Sequence, residues 1–134
     1  MVRQVSIFAE NSRGALRNIT SALKAVNVNI IALVTNDSAA FGIVRMIVDD
    51  ADAAVKALRD AGYMVHCDSV LVVDIDDGPG GLDQLLTTIN DARTNIDYLY
   101  ISYDRVRSTP GAVIHSLDYA ELESCLRSNG WKVL

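Results

Sequence analysis

Three places in the chain carry residues able to do chemistry. Asp74, Asp76 and Asp77 lead into Gly78-Pro79-Gly80-Gly81-Leu82; His66, Cys67 and Asp68 are consecutive; His115 and Cys125 stand apart from both. Carboxylates so close together could hold a hard cation, but the spacing and closing Glu of a calcium-binding EF-hand loop are missing. The glycines could cradle a phosphate, yet no Lys and hydroxyl side chain follow them as in a phosphate-binding loop. On a strand, His66 and Asp68 point to one face and Cys67 to the other, so no nucleophile-base pair forms there. His115 falls in a strand pattern. Cys125 sits on an apolar helical stripe beside Leu122 and Leu126, where a small buried cysteine suffices as explanation. No catalytic residue, metal or cofactor is expected.

The Asp76 to Leu82 stretch retains a binding chemistry. Gly80 and Gly81 allow backbone conformations closed to other residues and leave no side chain in the way of a close approach, while Pro79 presets the chain's entry into a helix. Free N–H groups and the helix dipole favour a carboxylate there, the dipole alone by roughly 0.3–1 kcal/mol. Asp76 and Asp77 can cap those N–H groups or accept from an α-ammonium. A zwitterion therefore suits the site better than a phosphate, which the two carboxylates would repel. With about ten heavy atoms at roughly 0.5–0.8 kcal/mol each, an amino acid would bind in the micromolar to millimolar range. The plainer alternative is an ordinary turn and helix cap, since Gly, Pro and Asp are the usual turn residues.

The elements that must position this loop emerge when the chain is laid on itself. Gly14-Ala15-Leu16 falls on Gly80-Gly81-Leu82 at a spacing of 66 positions, which also places Asn11 on Asp77, Ile19 on Leu85, Leu23 on Ile89 and Asn29-Ile30 on Asn95-Ile96. Gly62-Tyr63 falls on Gly130-Trp131 at 68, so a two-residue insertion is expected around "DRVRSTPG". In the first copy Val5, Ile7 and Ala9 alternate as in a strand, and Leu16, Ile19, Leu23 and Val26 recur at helical spacing. "NIIALVTN" and "FGIVRMIV" read as strands around the turn "DSAA", "DADAAVKALRDAG" as a helix stopped by Gly62, and "YMVHC" as a last strand. The second copy reads likewise: "SVLVVDI", a helix carrying Leu82, Leu85, Leu86 and Ile89, "NIDYLYISY", "AVIHSL", "YAELESCLRSNG" and "WKVL". The fold class is α+β, two ferredoxin-like βαββαβ repeats with antiparallel sheets, over 1–68 and 69–134.

That topology leaves the second strand of each repeat at a sheet edge. "NIIALVT" and "NIDYLYIS" are apolar and lack Pro or an inward Lys, so their open edges need cover. The two repeats are expected to pack side by side through these strands as a pseudo-dimer, or to pair between chains as a homodimer. Tyr98 and Tyr100 share one face of the second such strand, where packing is their expected role.

The duplicated pattern resembles the ACT domain family. "DDGPGGL" matches its D-x-P-G-x-L pattern between first strand and first helix, an "NI" opens each second strand, and "ENSRGAL", "VNVNIIAL", "FGIVRMIVDD" and "IDYLY" are similar to elements of stand-alone two-ACT proteins. The resemblance spans essentially the whole chain. It implies a regulatory or sensor protein without chemistry of its own, binding a small molecule, expected to be an amino acid, where the first loop of one domain meets the second strand of its neighbour. Carried over, the ligand-binding residues are Glu10, Asn11, Arg13, Gly14, Ala15, Leu16, Asn29 and Ile30, and Asp76, Asp77, Pro79, Gly80, Gly81, Leu82, Asn95 and Ile96. The first copy departs from the pattern with Arg13 in place of Pro and Asn11 in place of Asp. Arg13 could hold a ligand carboxylate or stay a solvated loop residue; Asn29 and Asn95 could bond a ligand or cap a helix exit. A regulated enzyme is implied but not named by any residue. The competing expectation is a structural or protein-interaction module whose ligand site has decayed, and more remotely an enzyme on the same scaffold.

Composition bounds the partners. The 134 residues are 50% hydrophobic, with 12 Lys and Arg against 17 Asp and Glu, a net charge of −5. That balance offers no basic footprint for nucleic acid or anionic lipid. No apolar run approaches the roughly 18 residues of a membrane span. The two cysteines lie far apart and outside any CxxC pattern, which signals neither a disulfide framework nor a zinc site, and a reducing cytoplasm is expected.

Overall fold

The computed structural model describes residues 2–10, 12–37 and 41–134. Candidate Asn11 and most of the turn expected at "DSAA" lie outside them. The element order is β1 (Val2–Glu10), α1 (Ala15–Ala25), β2 (Ile30–Asp37), β3 (Phe41–Val48), α2 (Ala51–Asp60), β4 (Met64–Asp74), α3 (Gly81–Asp91), β5 (Tyr98–Asp104), β6 (Thr109–His115) and α4 (Tyr119–Ser128). The chain divides into two compact units, one of Arg3–Asp68 and one built mainly of Ser69–Leu134. Where the sequence reads two strands, "YMVHC" and "SVLVVDI", one strand β4 runs, because no Gly or Pro interrupts the extended run and Asp68-Ser69 alone do not turn it. "WKVL" is less than a strand: Val133 forms a single bridge to Val73, flanked by Asp74 N–H to the Lys132 carbonyl and Leu134 N–H to the Val72 carbonyl.

Both units use one ladder. In the first, antiparallel β3 lies between β1 and β2, setting Met46 opposite both Val5 and Leu33. In the second, β6 lies between β4 and β5, and Ile114 stands opposite both Leu71 and Leu99. Leu33 and Leu99 keep the spacing of 66, whereas Met46 and Ile114 are 68 apart. The two extra residues therefore fall in the β5–β6 hairpin, as expected. Among the described residues each second strand is bonded, within its unit, along one side only, β2 to β3 and β5 to β6.

The cores repeat in register, apart from Val28 and Val48, which have no counterpart in the second. Val5, Ile7, Ala9, Ile19 and Leu23 of the first have counterparts 66 positions on in Leu71, Val73, Ile75, Leu85 and Ile89, all buried. Val44, Met46, Ala54, Leu58 and Val65 match Ala112, Ile114, Leu122, Leu126 and Val133 at a spacing of 68. Each large aliphatic side chain withdrawn from water in this way contributes about 1.5–3 kcal/mol. The helical stripes are narrower than the sequence pattern suggests. In α1 only Ile19 and Leu23 are buried, while Leu16 in the first turn and Val26 at the C-cap stay exposed. Of the four apolar residues expected in α3, Leu85 and Ile89 are buried, Leu82 packs partly against the core and Leu86 is exposed.

Helix ends repeat as well. Gly62 and Gly130 follow α2 and α4 with φ of 92° and 85°. Tyr63 N–H bonds back to the Leu58 carbonyl and Trp131 N–H to that of Leu126, while the glycine N–H groups bond one turn position in, to Arg59 and Arg127. This is the pairing that closes a helix through a left-handed glycine.

Candidate functional site

The first loops of the two units are built alike. Ser12-Arg13-Gly14-Ala15 is a tight turn closed by Ala15 N–H on the Ser12 carbonyl at 3.2 Å, with Gly14 at φ 82°, ψ 0°. Gly78-Pro79-Gly80-Gly81 is closed the same way by Gly81 N–H on Gly78, also at 3.2 Å, with Gly80 at φ 88°, ψ −5°. These dihedrals at the third turn position define a type II turn, which wants Gly there and accepts Pro before it. Arg13 thus occupies the Pro79 position without changing the turn, and the departure from the sequence pattern is conformationally silent. Each turn delivers the chain straight into a helix, with Asn18 N–H on Gly14 and Gln84 N–H on Gly80 as the first helical bonds. Among the described residues neither α1 nor α3 has a side-chain N-cap, unlike α2, where Asp50 accepts from Ala53 N–H. The uncapped N–H groups and the dipole leave two helix starts disposed toward a carboxylate.

Beyond the turn the loops diverge. A Cβ on Gly81 would lie 2.2 Å from the Asp76 carbonyl oxygen, so that carbonyl closes over the start of α3 and Gly81 is buried. The first unit has Ala15 at this position, with a Cβ that needs room, and the Glu10 carbonyl instead accepts Ser12 N–H at 2.9 Å. Space opens there. A cleft of about 210 Å³ is lined by Ala9, Glu10, Ser12, Ala15 and Leu16 of the loop and by Thr35, Asn36, Gly42, Ile43 and Val44 of β2 and β3. A second cleft of about 570 Å³ shares Ala9, Glu10, Ser12 and Ala15 and adds Phe8, Asn18, Gly62, Tyr63 and Met64.

Of the residues expected at the first site, Glu10, Ala15 and Leu16 meet at one cleft, with Gly14 in the adjoining turn; Arg13 is exposed beside it. Asn29 and Ile30 are elsewhere in that unit. They line a separate cleft of about 440 Å³ with Thr20, Lys24 and Asp49, past the other end of α1, a helix about 16 Å long. Asn29 exchanges backbone bonds with Asp49, its N–H going to Oδ1 at 2.9 Å and its carbonyl accepting Asp49 N–H at 3.1 Å. In the second unit Asp76, Asp77, Pro79 and Gly80 are exposed, Leu82 and Ile96 pack against the core, and the carbonyl of exposed Asn95 accepts Ser116 Oγ at 2.6 Å.

Sequence reasoning missed Ser12, Thr35, Asn36 and Gly42. Gly42 carried a signal: it interrupts a β-branched strand, and a Cβ there would stand 3.1 Å from the Asn36 carbonyl, a close backbone approach. It also missed Arg107, whose Nη1 lies 2.7 and 2.6 Å from the two oxygens of Asp74 while its Nε donates to Asp104 at 2.8 Å. Asp104 further accepts the N–H groups of Val106 and Arg107, folding the inserted hairpin turn onto itself. Those bonds, the Arg107 side chain first, hold the Asp104 carboxyl below its ordinary pKa; the Arg107 guanidinium is held above its own, Asp104 first and then Asp74 offsetting partial burial. Among the described residues no group of three or more His, Cys, Asp or Glu could hold a metal. His115 ends β6, its ring stacked on Tyr98 at 4.9 Å with Nδ1 2.9 Å from Asp97.

A family model described as an ACT domain pair matches residues 1–122. The chain belongs to the ACT domain pair family. A two-domain ACT architecture also describes what the structure shows, four helices and antiparallel strands in two like units. The crystal structure of protein BT0572 from Bacteroides thetaiotaomicron is similar at 31% identity and a TM-score of 0.92, over 99% of this chain and 91% of that one. The regulatory subunit of aspartate kinase from Thermus thermophilus, in a ligand-free form, is similar in fold at 16% identity and TM-score 0.70, covering 96% and 90%. The corresponding subunit from Thermus flavus gives 14% and 0.66, covering 95% and 92%. No curated protein matches this ACT pair. Among the described residues no helix is long and apolar enough to cross a membrane.

Proposed function

We propose that this ACT pair, with domains meeting at Asp68 and Ser69, is a ligand-binding regulatory protein whose ligand is a free amino acid. The observation that carries this reading is the first loop: an uncapped helix start led by a left-handed glycine, opening on a cleft of about 210 Å³. That volume lies below the roughly 300–1,000 Å³ of sites for drug-sized ligands and suits about ten heavy atoms. The ligand carboxylate takes the N–H groups at the start of α1, and Glu10 receives the α-ammonium. Arg13 stands exposed in the same loop. The family's two-domain site would be completed by an Asn-Ile strand, Asn29-Ile30 or Asn95-Ile96, from a neighbouring domain; within the first unit α1 separates that pair from the loop. Apolar β2 and β5, each bonded on one side within its unit, supply edges through which two copies pair as a homodimer. Two solved relatives in fold are named as regulatory subunits of aspartate kinase, which supports a regulatory role here without naming the regulated enzyme. Both cysteines are free, in keeping with a reducing cytoplasm.

A second reading applies to the second unit. There Asp76, Asp77, Pro79, Gly80, Gly81 and Leu82 match the family pattern better, yet the Asp76 carbonyl fills the space over Gly81. That favours a loop which has become structural, leaving one working site per chain. Thermal-shift screening against the twenty amino acids tests the function. One or a few should raise the melting temperature, by the mass-action stabilisation that any ligand of the folded state confers. No shift at concentrations on the order of tens of millimolar, well above the affinity expected for about ten heavy atoms, rejects it.

A further inference from the structure

A cleft of about 480 Å³ in the first unit, separate from the loop site, is lined by Arg3, Asp52, Val55, Lys56, Arg59, Asp60 and Cys67. Three of that unit's seven cations converge on it, in a protein whose net charge is −5. Their carboxylate partners are weakly tied: Arg3 Nη2 is 2.9 Å from the exposed Asp52, and Lys56 Nζ is 3.0 Å from the exposed Asp60. Exposed pairs of this kind open at little cost. Among the described residues Arg59 spends one donor on the Val65 carbonyl at 3.3 Å and keeps the rest. Cys67 is a free thiol, half-buried with its inner side against the core. It lines the cleft together with the Arg3 guanidinium, which Asp52 first and Cys67 second hold above its ordinary pKa. A thiol that shares a cleft with a guanidinium and two further cations combines a nucleophile with a means of selecting its reagent.

We infer that Cys67 is a thiol-exchange site for anionic low-molecular-weight disulfides, whose carboxylates are received by Arg3, Lys56 and Arg59. This assignment is independent of amino-acid binding at the first loop. In the exchange the Cys67 thiolate attacks one sulfur of the disulfide and that S–S bond breaks as the new one forms. The other half leaves as a thiolate and takes up a proton equivalent to the one Cys67 lost. Cys67 is oxidised to a mixed disulfide and the departing half is reduced to a thiol. Cys125 is the internal reference, half-buried on α4 in the unit that carries the whole net negative charge, with Asn129 Nδ2 3.6 Å from its sulfur.

The test exposes the full-length protein to three disulfides matched in concentration: oxidised glutathione (anionic), bis(2-hydroxyethyl) disulfide (neutral) and cystamine (cationic). Peptide mass mapping follows each cysteine with time. Rates are divided by those of a small free thiol with each reagent, which removes intrinsic reactivity. At Cys67 the anionic reagent should then be favoured over the neutral one and the neutral over the cationic, against the sign of the protein's own field; at Cys125 the order should reverse. Lys56→Gln, at an exposed side chain that leaves the core intact, should slow the anionic reaction about two- to threefold at low salt and leave the neutral one unchanged, whereas Arg3→Gln, which also removes the charge beside the thiol, should slow all three and the anionic one most. Equal normalised rates for all three reagents at Cys67, or an anionic preference that survives both substitutions, would overturn the proposal.

Discussion

The first loops of the two units are the same turn carrying different contents. Ser12 to Ala15 and Gly78 to Gly81 share the closing hydrogen bond, the left-handed third residue and the uncapped helix. Of the three positions at which the turns differ in sequence, Ala15 against Gly81 is the one where a Cβ would meet the preceding carbonyl. Where the residue has a Cβ, the preceding carbonyl stands off and a cleft forms; where it has none, the carbonyl closes in. Charge separates the units as well. The Arg3–Asp68 unit holds seven Lys and Arg and seven Asp and Glu, whereas Ser69–Leu134 holds five and ten, so the whole net charge resides in the second. A duplicated frame has kept its core and its turns while its sites diverged.

Several substitutions would break or sharpen that comparison. The largest effect belongs to the shared core: Leu58→Ala and Leu126→Ala, at equivalent fully buried positions, should each cost about 2–5 kcal/mol in urea-induced unfolding. Cooperative loss of one unit's signal in each variant would show the two cores acting in parallel. Next comes Gly81→Ala, which puts a methyl against the Asp76 backbone and should cost about 3 kcal/mol. The reciprocal Ala15→Gly should cost only about 0.5–1 kcal/mol, the ordinary penalty of glycine in a helix. Similar costs at the two positions would mean the loops are equally open. Smaller still, Arg13→Pro places in the first turn the residue that the second already has, and should stabilise by about 0.4–1 kcal/mol in thermal unfolding.

The last effect is one of pH. The Asp104 carboxyl lies below its ordinary pKa because Arg107 and two N–H groups favour its ionised form. A depressed carboxyl contributes stability above its unfolded pKa, and that stability disappears as pH falls through the folded one. Acid titration of the second unit should therefore be less steep in Arg107→Ala below about pH 4, while the first unit's titration is unchanged. An identical acid limb in the variant would show that the hairpin clamp does not couple to folding.

The frame was largely legible in the sequence because burial enforces periodicity. Ile19 with Leu23 and Leu85 with Ile89 had to recur at helical spacing, and the step from 66 to 68 located the hairpin insertion before any strand was drawn. Two limits were physical. Leu16, Val26 and Leu86 fit the apolar pattern but stay exposed, since apolar spacing marks a face and not which of its members a neighbour covers. The Asp76 carbonyl over Gly81 and the Arg107 link to Asp74, 33 residues apart in sequence, are tertiary contacts that local spacing does not encode. The motif that matched best, "DDGPGGL", consequently marks the more closed loop.

Binding mapped by residue tests the central claim most directly. With the amino acid that gives the largest thermal shift, backbone amide chemical-shift changes should concentrate on Glu10 to Leu16 and on Thr35 and Asn36, leaving Asp76 to Leu82 nearly unmoved. Changes centred on Asp76 to Leu82, or no saturable change in either loop, would contradict it.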